Sequence, residues 1–231
     1  MHKYQLLIEY VGTSFVGWQI QSKGKSIQKL IQTKLSRLLK EKILLIGSGR
    51  TDSGVHAIEQ SAHFECKKEI QNLDKFFKSV NHFVNDKDVS IVKIKKRNIN
   101  FHARFSAKQR IYKYVIFNRL SRPSIEKGRG WHIIKDLDIQ LMKKGAKKLL
   151  GTKDFSTFRS SSCNAKSPIR TMKSINPFVN NKDISIVKIK KKNINFHARF
   201  SAKQRIYKYV IFNRLSRPSI EKGRGWHIIK D

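Results

Sequence analysis

The sequence predicts a mixed fold of helices and strands, α+β or α/β, on three observations. Residues 4–10, 89–94 and 111–117 alternate or concentrate β-branched and aromatic side chains, as strands do. Residues 26–39 and 138–150 place apolar side chains three and four apart, behind capping residues, as amphipathic helices do. The two kinds of segment are interleaved along the chain. Spacing alone does not choose between the two classes.

Taken in order, residues 4–10 form the first strand, and residues 12–25 form a loop punctuated by Gly12, Gly17 and Gly24. Ser26 is a predicted N-cap, after which Ile27, Leu30, Ile31, Leu35, Leu38 and Leu39 fall on one helical face. The apolar run 43–46 reads as a short buried strand and 60–65 as another. Leu73, Phe76, Phe77 and Val80 mark a second helix, followed by strands at 89–94 and 111–117. Ile139, Met142, Ala146, Leu149 and Leu150 make a third helix face, with Asp138 at its cap and Gly151 past its end.

The longest apolar runs are far shorter than the roughly 20 residues that span a bilayer. The opening MHKYQLLIEY has a glutamate where a signal peptide has an apolar run, so the expected location is cytoplasmic. Cys66 and Cys163 have the spacing of neither a metal site nor a disulfide framework, and read as reduced thiols. The 50 Lys+Arg against 16 Asp+Glu give a formal net charge of +34. Such an excess suits a polyanionic partner, most simply nucleic acid. Lysine outnumbers arginine heavily, so a lysine-rich background also feeds this figure. The clusters Lys93-Lys95-Lys96-Arg97 and Lys143-Lys144-Lys147-Lys148 read as solvated faces able to meet phosphates.

One internal repeat dominates the organisation. Residues 81–136 recur at 176–231, and only four of the 56 positions differ: His82/Pro177, Asp86/Asn181, Val89/Ile184 and Arg97/Lys192. A solenoid has shorter, diverged units in three or more copies, so this is a different kind of event. The copy holds 14 Lys+Arg and 3 Asp+Glu, a net +11, which leaves +23 to the rest of the chain. The basic character therefore precedes the duplication. Residues 1–110 read as an N-terminal half, 111–175 as the start of a second half, and 176–231 as an appended copy.

The segment richest in chemistry is Gly47-Ser48-Gly49-Arg50-Thr51-Asp52-Ser53-Gly54-Val55-His56-Ala57, directly after the apolar run 43–46. Three glycines in eight residues permit a tight, irregular backbone at a strand end. Asp52 stands two residues from Arg50, and a neighbouring guanidinium favours an ionised carboxylate, fit for a nucleophile or general base. The competing reading is a turn or helix cap, for which Asp, Ser, Thr and Gly are ordinary residues.

The string GRTDSGVHA resembles the signature loop of the TruA family of tRNA pseudouridine synthases. Further matches follow in family order: YQLLIEYVGTSFVGWQ at 4–19, NFHARFSA at 100–107, RIYKY at 110–114, GTKDFSTFR at 151–159 and SPIRT at 167–171. The resemblance is nearly continuous over residues 1–175. It implies an α+β pseudouridine-synthase fold, two related halves sharing a central, mainly antiparallel sheet flanked by helices. It implies a homodimer acting on the tRNA anticodon stem-loop, with no cofactor and no metal. Asp52 matches the catalytic aspartate, Tyr112 the tyrosine that packs on the target base, and Arg50 a residue that helps displace the uridine. His56 and His102 lie beside these motifs without ligand spacing and read as structural or RNA-contacting.

The family continues past the position of Ile175 with a strand and a helix carrying Phe-Leu-x-x-Met-Val-Arg-Asn, then a Gly-Leu segment, whereas this sequence continues with its copied block. The copied strand 184–189 is expected to take the vacant place in the sheet. Arg199 then falls roughly where the family's arginine lies after its own strand, as a replacement basic residue. Tyr207, the copy of Tyr112, has no matching role. Two functions stay open here: an isomerase making pseudouridine, and an RNA-binding remnant without the chemistry.

Overall fold

The computed structural model describes residues 1–84, 86–159 and 167–175 with their side chains, and the backbone of 177–180, 183–186, 211–213 and 226–228. The chain forms two compact units, Met1–Lys108 with Ala202–Asp231, and Gln109–Ser201.

In the first unit the elements are β1 (His2–Tyr10), a 3-10 turn at Gly12–Ser14, α1 (Ile27–Leu39), β2 (Ile46–Gly47), β3 (Ala57–Cys66), α2 (Leu73–Val84) and β4 (Val89–Arg97). The four strands make an antiparallel sheet in the order β2-β3-β1-β4. Alternation along β1 divides its side chains between two faces. Tyr4, Leu6, Ile8 and Tyr10 are fully buried on one face, in register with Phe64 and Ala62 of β3. There they join Ile27, Ile31 and Leu35 of α1 and Phe76, Val80 and Val84 of α2 in one core. Each of the fully buried aliphatic side chains contributes about 1.5–3 kcal/mol by leaving water.

The caps form as the sequence predicts: Ser26 Oγ accepts from the Lys29 N–H, and Asp138 accepts from the N–H groups of Gln140 and Leu141. The expected strand at 43–46 is a correction, since only Ile46 enters a ladder. Ile43 and Leu45 are buried as expected, but their backbone groups bond to α1 instead. The Ile43 N–H donates to Ser36 Oγ (3.0 Å), the Leu45 N–H to Gln32 Oε1 (3.1 Å), and the Gln28 side chain to the Leu45 carbonyl (2.7 Å). These side chains satisfy the backbone without a partner strand.

The second unit carries β5 (Tyr114–Asn118), β6 (Trp131–Ile133), α3 (Ile139–Lys148), β7 (Gly151–Asp154), a 3-10 turn at Ser156–Phe158, β8 (Ile169–Met172), β9 (Pro177–Asn180) and β10 (Asp183–Ile186). Its main sheet runs β6-β5-β10-β9, with β5–β6 parallel and the other pairs antiparallel; β7 and β8 form a separate antiparallel pair. The expected strand at 111–117 begins only at Tyr114, leaving Ile111 and Tyr112 before it. A single sheet common to two halves is not among the pairings of the described residues.

The repeat behaves in two ways. β11 (Ile211–Asn213) and β12 (Trp226–Ile228) pair in parallel, in the same register that β5 and β6 use. β10, the start of the copied strand 184–189, pairs antiparallel with β5, Ile184 opposite Ile116; residues 187–189 lie outside the described ones. By contrast, Phe83-Val84 end helix α2, while their copies Phe178-Val179 lie in strand β9. Residues 73–80, which begin α2, were not copied, and Pro177 replaces His82 with a residue lacking an N–H. So short a segment takes its structure from its context.

Candidate active site

The loop between β2 and β3 spans residues 48–56 and carries Asp52. It is clamped against residues 10–18. Trp18 N–H donates to the Thr51 carbonyl (3.0 Å), Tyr10 Oη bonds Thr51 Oγ1 (2.9 Å), Gly12 N–H donates to His56 Nδ1 (3.0 Å), and Ser53 Oγ donates to the Phe15 carbonyl (3.1 Å). Within the hairpin, Val55 N–H closes on the Asp52 carbonyl (3.2 Å) and Gln60 Nε2 on the Gly49 carbonyl (2.7 Å). The two loops touch backbone to backbone. A Cβ on Gly12 would lie 2.0 Å from the Val55 carbonyl oxygen. Gly17, at φ +109°, would place one 2.5 Å from the Thr51 oxygen. Glycine is required at both, at Gly12 by close approach and at Gly17 by backbone conformation as well.

On this fixed loop the Asp52 side chain is exposed, as is Arg50. Among the described residues no ion pair joins the two. Thr51, between them, is held by its own two bonds. Burial and the bond to Thr51 act on the Tyr10 phenol in opposite senses, and burial wins, raising its pKa above the ordinary value. Tyr10 is therefore a neutral hydroxyl at physiological pH. His56 accepts at Nδ1, which fixes the neutral ring as its Nε2–H tautomer. That is a positioning part in the loop.

The sheet face opposite the core holds several buried polar side chains. It carries Lys3, Gln5 and Glu9 on β1, His63 on β3 and Ser90 on β4. Arg97 Nε donates to Gln5 Oε1 (2.8 Å), Gln5 Nε2 donates to Ser61 Oγ (2.7 Å), and Lys3 pairs with Glu65 (3.0 Å). The sequence hinted at this face through the polar residues alternating along β1, but strand alternation reads equally as a solvated surface. His63 is pushed down to about 4, by burial first and then by the nearby His102 and Lys3 charges. The Cys66 thiol is pushed up to about 11, by burial and then by Glu41. It is a free, buried thiol, unreactive as such groups are.

The predicted site residues divide between the units. Asp52 and Arg50 belong to the first. Tyr112 belongs to the second, before β5, and is 64% exposed, so it is not a core aromatic. Arg199, Tyr207 and Cys163 lie outside the described residues. Among the described residues no group of three His, Cys, Asp or Glu side chains could hold a metal ion, and no helix is long and apolar enough to cross a membrane.

Comparison with known proteins places this arrangement. The sequence model of the family described as tRNA pseudouridine synthase matches residues 6–106 and 146–210, a span that takes in the clamped loop and most of both units. The chain belongs to the tRNA pseudouridine synthase family. It is 80% identical over 176 residues to tRNA pseudouridine synthase A of Pelagibacter ubique (strain HTCC1062), covering 76% of this chain and 72% of that protein. It is 38% identical over 187 residues to tRNA pseudouridine synthase A of Anaplasma phagocytophilum (strain HZ), covering 80% and 75%. As a member of the family it is an isomerase of the pseudouridine synthase type, with an α+β fold built on an antiparallel sheet. The family match runs through residue 210 and so enters the copied block at 176.

Proposed function

We propose that this chain converts uridine to pseudouridine in the anticodon stem-loop of tRNA, with Asp52 as the nucleophile. One observation carries the reading: an exposed carboxylate at the tip of a loop whose backbone is tied down on both sides of it. A nucleophile held in place before the substrate arrives spends no binding energy on its own ordering. The Asp52 carboxylate attacks the target nucleoside, at uracil C6 or ribose C1′. The C1′–N1 bond breaks, the uracil turns, and a C1′–C5 bond forms. Asp52 is released, the C5 proton passes to solvent, and N1, freed from the ribose, takes up a proton in its place. No electrons are exchanged, so the step needs no redox partner.

Tyr112 stacks on the target base, and its exposure leaves the ring available for that contact. Such stacking is worth about 1–3 kcal/mol. Arg50 helps hold the uridine out of its helix, a displacement that costs a few kcal/mol. Arg199 supplies the basic group that the family carries on its C-terminal helix. The enzyme acts as a homodimer, and tRNA is its partner.

The test is to map pseudouridine in tRNA by carbodiimide modification and primer extension. Stops within the anticodon arm that disappear with Asp52→Ala support the reading. No stops, or stops that persist in the variant, sink it. Retained tRNA binding without stops would mark a chain that keeps the binding surface and lacks turnover.

A further inference from the structure

After β4 the chain makes a turn over residues 98–106 that presents aromatic rings beside guanidinium groups. Phe105 is 78% exposed, and its ring lies on that of His102, with centroids 4.3 Å apart and planes 32° from parallel. The Arg104 guanidinium is 5.9 Å from the Phe105 centroid. The Arg97 guanidinium stands 5.0 Å over Phe101.

A single exposed apolar residue is common on protein surfaces and carries nothing by itself. This one belongs to a built unit. Ser106 N–H donates to the His102 carbonyl (2.8 Å), and His102 N–H donates back to Ser106 Oγ (3.0 Å). His102 Nδ1 accepts from the N–H groups of Arg104 (3.2 Å) and Phe105 (3.4 Å). From below, the buried His63 ring takes the Ala103 N–H on Nδ1 (3.1 Å), and Lys3 Nζ holds the Ile99 carbonyl (2.5 Å). The turn is thereby locked to the polar face of the sheet with Phe105 pointing outward. A ring fixed in that way loses little freedom when a flat partner settles on it.

We propose that Phe105, backed by His102 and flanked by Arg104, is a stacking platform for an unpaired nucleotide of the RNA, separate from the reacting uridine. The inference rests on the reading above that RNA is the substrate. Aromatic rings interleaved with cations are what single-stranded RNA selects: the ring takes the base face, and the guanidinium takes phosphate or stacks. A duplex offers no free base face. An acidic protein surface would use the charges but not the ring. The platform therefore reads single-stranded character, and adds specificity for a loop over a stem.

The experiment measures Kd by fluorescence anisotropy for two synthetic RNAs of equal length, a stem-loop with an unpaired loop and a blunt duplex. The wild-type chain is compared with Phe105→Ala and Phe105→Trp. Phe105→Ala is expected to weaken stem-loop binding roughly 5- to 150-fold, the range for one stacked base. It should leave duplex binding unchanged, and Phe105→Trp should restore loop binding. Because Phe105 is exposed, equal thermal unfolding of all three chains is expected and is checked alongside. Wild-type affinity of Phe105→Ala for the stem-loop overturns the platform, and so does an equal loss on both RNAs. Failure of the wild-type chain to bind either RNA overturns the RNA reading itself.

Discussion

Replacing Gly12 by alanine should disable the loop that carries Asp52 without touching any reacting group. Ordinary contact begins near 3.4 Å, whereas a Cβ at Gly12 would lie 2.0 Å from the Val55 carbonyl oxygen and 2.7 Å from its carbon. Something must retreat by about 1.4 Å, and both neighbours are backbone. The loop cannot simply swing away, because Thr51, Ser53 and His56 bond to Tyr10, Trp18, Phe15 and Gly12 itself. Displacement of a catalytic group by about 1 Å costs on the order of 10²-fold in rate. The expected result is a kcat lowered about 100-fold, with unfolding free energy reduced by about 1–3 kcal/mol. A control separates clash from backbone strain. Gly54, in the same loop, has φ +80° and open space, with nothing within 4 Å of where a Cβ would sit, so Gly54→Ala tests strain alone. That strain costs about 1–2 kcal/mol. Turnover on saturating tRNA and urea unfolding, measured on both variants, supply the numbers. Full turnover in Gly12→Ala would refute the claim that the two loops position Asp52 together.

Two further outcomes follow from the ionisation of buried groups. His63 is held near 4 in the fold against 6.5 in an unfolded chain, so it is neutral when folded. Stability is then complete above the unfolded value and is lost as pH falls from 6.5 toward 4, because the unfolded chain takes up a proton that the fold refuses. The loss amounts to about 3 kcal/mol over that window. Urea midpoints at pH 7 and 4.5 should show it, and in His63→Asn that contribution to the slope should vanish; an unchanged slope would count against the assignment. The Cys66 thiol, raised to about 11, should have roughly one thiolate in a thousand at pH 8. In a Cys163→Ser background the folded chain should resist a thiol-reactive disulfide reagent that labels the urea-unfolded chain quickly, and rapid labelling of the folded chain would contradict that burial.

Local rules carried the helix caps in both units and much of the first unit's core. Ser26 and Asp138 cap helices because a short side-chain oxygen can reach free N–H groups, which is readable from neighbours alone. The face Ile27, Ile31, Leu35 is buried as helical spacing dictates, while Leu30, Leu38 and Leu39 on its margin are half-buried. What failed were features that depend on distant partners. Nothing in the run 43–46 says that Gln28, Gln32 and Ser36 will bond its backbone in place of a strand. The copied residues Phe178-Val179 form a strand although Phe83-Val84 end a helix, since the preceding turns of helix decide. In the site, the string around Asp52 was legible by resemblance, and the structure places Asp52 exposed on its loop. The clamp from Tyr10, Gly12 and Gly17 was not, because it forms only when two loops some 40 residues apart meet. Arg50 and Asp52 are near in sequence, but among the described residues they form no ion pair, because the loop geometry and not the spacing sets where their side chains go.

The most direct test of the account is tritium release from C5-labelled uridine in tRNA, comparing this chain with Asp52→Ala. The C5 hydrogen leaves only when the new carbon–carbon bond has formed. Asp52 is exposed, so the substitution should change stability by no more than about 0.5 kcal/mol, and unfolding measured in parallel makes the comparison fair. Release by the unmodified chain and none above background by Asp52→Ala is the expected result. Equal release from both chains would contradict it.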